Sequence, residues 1–239
     1  QKLGKLASPS EIPALLKQLS SSSSAQDISG LAEALGSICT RAGSPASATD
    51  QIIAALASAQ PTQKIALLGV LSAVGASAHD RAAALGRYPA TESAIPAALA
   101  FKSALARAEA GDGPGAEHLF HDRFFPREEG GTNVRTVYGQ VRLILANHAA
   151  STGTCDVARQ ILDSFSSEQP GLPFTKGGLG DVIASPTLSL QAAEVESACG
   201  RTEAARARWE KLARSLESDG APLTLAIADA AARRLGRTR

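Results

Sequence analysis

The sequence predicts an all-α protein, a right-handed α-α solenoid of antiparallel helix pairs. Alanine, the strongest helix former, occurs throughout the 239 residues, while aromatic residues make up only 4%. Apolar residues recur at the helical period, and the alternating Val- and Thr-rich runs typical of strands are nearly absent. Short links between such amphipathic helices favour antiparallel pairs.

Helix starts are marked by capping residues at several positions. The segment Ser8-Pro9-Ser10-Glu11 has a cap serine, a proline at the first helical position and a glutamate at the third, which predicts a capping box. Serine followed by proline, or by an acidic residue three positions later, marks three more starts: Ser44-Pro45, Ser185-Pro186, and Ser24 with Asp27. The serine run 20–24 is predicted to be a polar loop between two helices.

Apolar residues at i, i+3, i+4 and i+7 predict the helices of the first half. The stripes are Ile12, Leu15, Leu16 and Leu19; Ile28, Leu31, Leu35 and Ile38; Ile52, Ile53 and Leu56; and Ile65, Leu67, Leu68, Leu71 and Val74. A single apolar stripe on a helix has to be covered by neighbouring helices, so we expect these helices to be stacked.

The second half repeats a helix–glycine–helix form. The turn glycines Gly111, Gly153 and Gly200 are 42 and 47 residues apart, and the helices are expected at 95–110 and 116–121, 134–151 and 155–165, and 187–199 and 203–216. Glycine suits a helix C-cap because the left-handed conformation there carries no steric penalty for it. We expect a helix–turn–helix repeat with a terminal capping helix at 223–235. A plain helical bundle with unrelated glycine turns is the alternative.

The C-terminal units resemble tetratricopeptide repeats. In AEVESACGRTEAARARWEKLA, a small residue precedes the turn glycine, an alanine follows at the packing position, and an aromatic comes next; these are Ala192 or Ala193, Gly200, Ala204 or Ala205, and Trp209. Comparable places in the preceding unit hold Tyr138, Ala146, Gly153, Ala158 and Leu162. The usual period of about 34 residues is lengthened by two insertions, 122–133 and 168–184.

Residues 8–100 resemble bacterial HEAT-like repeats in the segments EIPALLKQL, ALGSICTRAG, QKIALLGVLSAVG and ALGRYPATESAIPAALAF. The two resemblances together imply a HEAT-like domain over residues 1–92 and a TPR-like domain over residues 93–239. Such stacks use an extended concave surface for binding. The resemblances therefore imply a non-catalytic scaffold that binds a protein or a peptide.

The first insertion carries a separate resemblance. RFFPREEGG followed by VRTVYGQVRL is similar to a loop of bacterial repeat proteins that bear a domain of unknown function beside carbohydrate-related modules. This similarity implies an alternative function, as an accessory or catalytic helical domain linked to carbohydrate metabolism.

Composition narrows the class of partner. Lys and Arg number 24 against 23 Asp and Glu, a balance that argues against nucleic-acid binding. The best apolar segment, 65–78, has 14 residues, fewer than the roughly 18 of a membrane span.

The chain has three widely spaced cysteines and no CxxC motif: Cys39, Cys155 and Cys199. This pattern argues against a disulfide framework, so we expect all three to be small buried apolar residues.

No cofactor motif and no Ser/His/Asp arrangement stands out, so we expect no cofactor and favour a protein that is not an enzyme. The chain begins at Gln1 and contains no Met, which favours a processed or trimmed piece of a longer product. Both the cytoplasm and the periplasm therefore stay open as its compartment.

The sharpest metal candidate is the segment Glu117 to Asp122. His118 and His121 are at i, i+3 and share a helix face, and Asp122 or Glu117 adds oxygen. A further ligand would have to come from a distant part of the chain, such as His148 or Asp80. The alternative reading is a polar helix end next to a loop.

The insertions supply the candidate partner-binding residues Phe124, Phe125, Arg127, Glu128 and Lys176. Aromatic and arginine side chains concentrate in interface hot spots, and long loops are often functional. The alternative reading is structural, with the two phenylalanines plugging the helix stack. The glycine-rich segment 176–181 lacks the phosphate-binding order GxxxxGK[ST] and is expected to be a flexible loop between repeats.

Overall fold

The computed structural model describes residues 8–42, 46–74, 97–121, 123, 125, 133–215 and 222–236. Every regular element in these ranges is a helix, which confirms the predicted all-α class. The chain divides into two compact units, Gln1–Leu119 and Phe120–Arg239. The predicted domain boundary at 92/93 lies outside the described residues. No helix in the described ranges is long and apolar enough to cross a membrane.

The first unit contains six described α-helices. They are α1 (Ile12–Ser21), α2 (Ala25–Arg41), α3 (Ala46–Ser58), α4 (Pro61–Ala73), α5 (Ala97–Glu109) and α6 (Gly113–His118). Helix α1 packs against α2 and α3, α4 packs against α2, α3 and α5, and α6 packs against α5.

Residues from the predicted apolar stripes form the core of the first unit. Their side chains are almost fully buried in one cluster, which includes Ile12, Leu16, Leu19, Leu35, Ile38, Ile52, Leu56, Leu67 and Leu71. The polar loop that the serine run predicted is shorter than expected, because α1 continues to Ser21. Gln63 holds this loop: its Nε2 donates to the carbonyl oxygens of Ser20 at 3.1 Å and Ser22 at 3.0 Å.

The cap signals mark real helix starts wherever they fall in the described residues. The Ser8 amide donates to Glu11 Oε2 at 2.6 Å, as a capping box requires. The turn that follows is a 3-10 helix, Pro9–Glu11. Pro13 has no amide hydrogen to donate to the carbonyl of Pro9, and Ile12 donates to that carbonyl instead. The pair Ser44-Pro45 lies outside the described residues.

The second unit also contains six described α-helices. They are α7 (Val134–Ser151), α8 (Cys155–Asp163), α9 (Gly180–Ile183), α10 (Pro186–Ala198), α11 (Thr202–Ser215) and α12 (Pro222–Arg234). Helix α7 packs against α8, α9 and α10, while α10 also packs against α11 and α12. Trp209 on α11 is buried against alanine and aliphatic side chains of α10 and α12.

The three turn glycines end their helices in the predicted way. Gly111, Gly153 and Gly200 have φ angles of 80°, 80° and 75°, the left-handed conformation that glycine adopts freely. In each turn, the residue after the glycine donates its amide to a carbonyl five residues earlier, at 2.8–2.9 Å. This shared geometry closes the last helical turn and lets the next helix start within a few residues.

The expectation for the cysteines is correct for one of the three and wrong for the other two. Cys39 is a buried free thiol, as expected. Cys155 and Cys199 instead form a disulfide, with their Cα atoms 5.3 Å apart. The sequence spacing could not indicate this pairing, because the two residues meet only when α10 packs against α8 and α7. That packing brings the end of α10 to the start of α8.

Polar contacts surround the disulfide. Arg159 Nη2 on α8 donates to the Cys199 carbonyl at 2.8 Å. Arg201, in the turn after α10, forms an ion pair with Asp163 at 2.8 Å. The hydrogen bond with Asp163 raises the pKa of Arg201 above its usual range, although partial burial opposes the shift. Helices α8 and α10 are therefore joined by one covalent bond and two charged contacts.

Candidate functional site

The predicted partner-binding residues are only partly described by the structure. Phe124, Arg127 and Glu128 lie outside the described residues. Lys176 is exposed on the second insertion. Phe125 is partly buried against two other phenylalanines, so this ring takes part in the packing of the second unit.

A cluster of four aromatic rings joins the two insertions to α7. Phe120 lies at its centre, with its ring centroid 5.1 Å from Tyr138, 5.9 Å from Phe125 and 6.2 Å from Phe174. Phe174 also contacts Tyr138 at 5.5 Å and Phe125 at 6.1 Å. Phe125 comes from the first insertion and Phe174 from the second, so the aromatic cluster fixes both on one helix.

The second insertion is folded onto α7 and onto the 3-10 turn Ser164–Ser166 that follows α8, which corrects the expectation of a flexible loop at 176–181. Arg135, in the first turn of α7, donates to the carbonyls of Phe174 at 2.8 Å and Gly178 at 3.0 Å and pairs with Asp181. The Leu179 amide donates to the Phe165 carbonyl at 2.7 Å. Within the insertion, the side chains of Leu172, Thr175, Leu179, Val182 and Ile183 are buried.

The described metal candidates lie on either side of the boundary between the two units. His118 is exposed at the end of α6 in the first unit, and His121 follows in the second unit, where its Nδ1 lies close to Gly171. Asp122 lies outside the described residues. Over the described ranges, no group of three or more His, Cys, Asp or Glu side chains is placed to hold a metal ion.

The first unit contains a pocket between α1 and α2, called here the α1–α2 pocket, of about 480 Å³. Its lining residues are Leu15, Gln18, Ser21, Ser22, Gln26, Asp27, Gly30, Leu31, Glu33, Ala34 and Ser37. Leu15, Leu31 and Ala34 give it an apolar floor, while most other lining residues are exposed. Among the described residues, the carboxylates of Asp27 and Glu33 are its only formally charged lining groups.

A second depression lies between α2 and α4, called here the α2–α4 groove, of about 770 Å³. It is lined by Ser29, Ala32, Glu33, Gly36, Ser37, Thr40, Arg41, Ala66, Gly69, Val70 and Ala73. Nine of these residues are glycine, alanine, serine, threonine or valine, and all of the nine except Val70 are partly or fully exposed. Glu33 and Ser37 line both depressions, so the groove and the α1–α2 pocket are adjacent along α2.

Three glycines inside α2 and α4 line these two depressions, and packing against the described residues requires none of them. A Cβ atom added at Gly30 would have no atom within 4 Å. At Gly36 its nearest neighbour would be Ala73 Cβ at 4.0 Å, and at Gly69 it would be Lys102 Nζ at 3.9 Å. Both are ordinary contact distances, so alanine would fit at all three positions.

Gly139 in α7 shows what a glycine required by packing looks like. A Cβ atom there would lie 2.5 Å from Val182 Cγ1 of α9, closer than real side-chain contacts. Helix α9 can approach α7 only because residue 139 has no side chain. The glycines of α2 and α4 have no such neighbour among the described residues.

None of the sequence motifs indicated the α1–α2 pocket or the α2–α4 groove. The sequence feature that could have pointed to them is glycine in the interior of apolar helices, at Gly30, Gly36 and Gly69. Glycine there costs about 1 kcal/mol of helix stability relative to alanine. The sequence alone could not tell whether these glycines serve helix packing or an open surface, because that depends on which neighbours come close.

Comparison with protein-family models, with curated protein sequences and with solved structures finds no match to this chain.

Proposed function

We propose that this protein is a non-catalytic scaffold of stacked helix pairs that binds a peptide segment of a partner protein in the α2–α4 groove. The observation that carries the proposal is the presence of Gly36 and Gly69 on the groove, where alanine would fit the fold. Each glycine costs the helix about 1 kcal/mol relative to alanine. A close approach of another backbone to these two positions would account for that cost.

The packing order of the helices supports a solenoid. In the first unit, α1 contacts both α2 and α3, and α4 contacts both α2 and α3. In the second unit, α7 contacts α8 and α10, and α10 contacts α11 and α12. A helix that packs against the next helix and the next but one is typical of stacked pairs, whose exposed faces form extended binding surfaces.

The shape and lining of the groove favour a peptide over a small molecule. Sites for small molecules usually enclose most of the ligand surface. The α2–α4 groove is instead open along its length, and most of its lining side chains are partly or fully exposed. Ala66, Gly69 and Ala73 share one face of α4 at i, i+3 and i+7. Small residues at this spacing let a second backbone lie close to the helix.

The test is a selection of displayed random peptides on the purified chain. We expect enriched peptides to protect backbone amides of α2 and α4 from hydrogen exchange. The double variant Gly36→Ala/Gly69→Ala should bind these peptides more weakly by roughly tenfold, since two methyl groups enter the contact surface. The same variant should unfold at a higher temperature, because both helices gain alanine.

Two results would count against the proposal. One is a selection that enriches no peptide, and the other is protection confined to helices outside the groove. The matched control is Gly177→Ala in the second unit, at an exposed turn with a φ of 80°. It alters a glycine without touching the groove and should leave peptide affinity unchanged.

A further inference from the structure

We infer that the α1–α2 pocket binds a lysine or arginine side chain of the peptide held in the α2–α4 groove. This inference rests on the proposed peptide-binding function and adds the chemistry of the partner. The groove and the pocket share Glu33 and Ser37, so a segment lying in the groove passes next to the pocket.

The charges of the α1–α2 pocket have one sign. Asp27 and Glu33 line it, and its other lining residues are uncharged. Both carboxylates are exposed, and neither makes an ion pair within the described residues. Complementary charge across an interface selects partners and fixes the register of binding. A cationic side chain is therefore the complement of this pocket.

The spacing along α2 gives that side chain a place to lie. Asp27, Gly30 and Glu33 are at i, i+3 and i+6, so the glycine lies between the two carboxylates on the helix surface. A Cβ at Gly30 would meet no atom within 4 Å, so the surface there is open. An ammonium or guanidinium group crossing Gly30 would reach either carboxylate.

The apolar floor fits the stem of the same side chain. Leu15 and Ala34 are buried below the pocket, and Leu31 is half-buried beside them. Lysine and arginine carry long aliphatic stems that cover apolar surface while their charged ends stay in water. The combination of apolar floor and acidic rim suits these two side chains better than a purely apolar residue.

The experiment uses the peptides selected on the native chain. We expect lysine or arginine to be enriched over their frequency in the starting library. Each selected peptide is synthesised together with a twin in which the enriched cation is replaced by glutamine, and both are titrated by fluorescence anisotropy. The twin should bind the native chain about fivefold more weakly, the size expected for partly exposed ion pairs.

The double variant Asp27→Asn/Glu33→Gln completes a double-mutant cycle with the two peptides. We expect the cationic peptide and its glutamine twin to bind this variant with equal affinity. The control Glu168→Gln/Glu203→Gln makes the same change in net charge at two exposed carboxylates of the second unit. It should preserve the fivefold difference. The difference should also shrink as added salt shortens the Debye length from about 30 Å at 0.01 M to about 3 Å at 1 M.

The outcomes separate the two proposals. Selected peptides without excess lysine or arginine, or a fivefold difference that persists in Asp27→Asn/Glu33→Gln, would overturn the cation site and leave the peptide groove standing. A selection that enriches no peptide removes the peptide groove itself. Circular dichroism of each variant checks that its helices are intact before binding is compared.

Discussion

Cys155, the first residue of α8, is bonded to Cys199, which directly follows α10, across 44 residues of sequence. The disulfide closes a loop that contains all of α8, the second insertion and α10. The insertion is further held to α7 by Arg135 and by the aromatic cluster. The second unit thus combines a covalent bond between α8 and the residue after α10 with a folded insertion.

The first prediction concerns this bond. Replacing both cysteines, Cys155→Ser/Cys199→Ser, should lower the free energy of unfolding of the second unit by about 2–4 kcal/mol, because the unfolded chain regains the entropy of the open loop. Denaturant titration followed by the fluorescence of Trp209, the chain's single tryptophan, measures the effect. A reducing agent should shift the native chain to the same midpoint and leave the variant unchanged. Identical midpoints for the oxidised native chain and the variant would contradict the prediction.

The second prediction concerns the remaining thiol. Burial raises the pKa of Cys39, and its side chain is fully buried in the first unit. At about pH 8, below even the ordinary thiol pKa of about 8.5, very little thiolate forms and reagents cannot reach it. Iodoacetamide should therefore leave the folded chain unmodified and modify Cys39 once the chain is unfolded without reductant. Mass spectrometry provides the readout, and rapid labelling of folded protein would refute the burial.

The third prediction contrasts two glycine-to-alanine changes. Gly30→Ala should raise the free energy of unfolding by about 0.5–1 kcal/mol, because the helix gains alanine and the new methyl group meets no neighbour. Gly139→Ala should lower it by about 1–3 kcal/mol, because the methyl group would overlap Val182.

Calorimetry of both variants measures these changes. The double variant Gly139→Ala/Val182→Ala should recover part of the loss, since the smaller side chain at 182 makes room. If Gly30→Ala destabilises the chain, then Gly30 has a packing role inside the fold and its link to the α1–α2 pocket is wrong.

The fourth prediction concerns the hydrogen bonds from Arg135 that fix the second insertion on α7. Arg135→Met keeps an unbranched apolar stem but removes the guanidinium group and with it the hydrogen bonds to Phe174, Gly178 and Asp181. Losing charged hydrogen bonds of this kind costs about 1.5–3 kcal/mol. The amides of Gly178 and Leu179, which bond within the second unit, should exchange at least about tenfold faster, since 1.4 kcal/mol corresponds to a factor of ten.

Lys176→Met is the matched control, because Lys176 is exposed on the same insertion. It should leave amide exchange across 168–184 as in the native chain. Equal exchange in Arg135→Met and the native chain would mean that the aromatic cluster alone holds the insertion in place.

Local signals in the sequence predicted local structure well. The Ser24 hydroxyl accepts the Asp27 amide at 3.3 Å, and α10 begins at Pro186 directly after Ser185. These features depend on residues a few positions apart, whose geometry a helix fixes. The apolar stripes also predicted correctly which faces of α1 and α2 are buried.

Features that join distant residues could not be predicted in this way. The structure brings Phe174 to Tyr138 and Cys155 to Cys199, and nothing in their sequence positions encodes either distance. The second insertion was expected to be flexible because its glycines suggest a loop. Its buried leucines and the hydrogen bonds from Arg135 outweigh that tendency.

By itself, the sequence determined the helical class, most helix starts, the glycine turns and the buried faces, because each depends on spacing along one helix or across one turn. The helix expected at 116–121 is an exception, since α6 begins at Gly113 and ends at His118. Only the tertiary structure decided which helices pack together, that two cysteines are bonded and that the second insertion is folded. It also distinguished Gly139, whose missing side chain admits Val182, from Gly30, which faces open space on α2. That distinction depends on which atoms approach a residue in three dimensions, and a local sequence pattern does not specify those atoms.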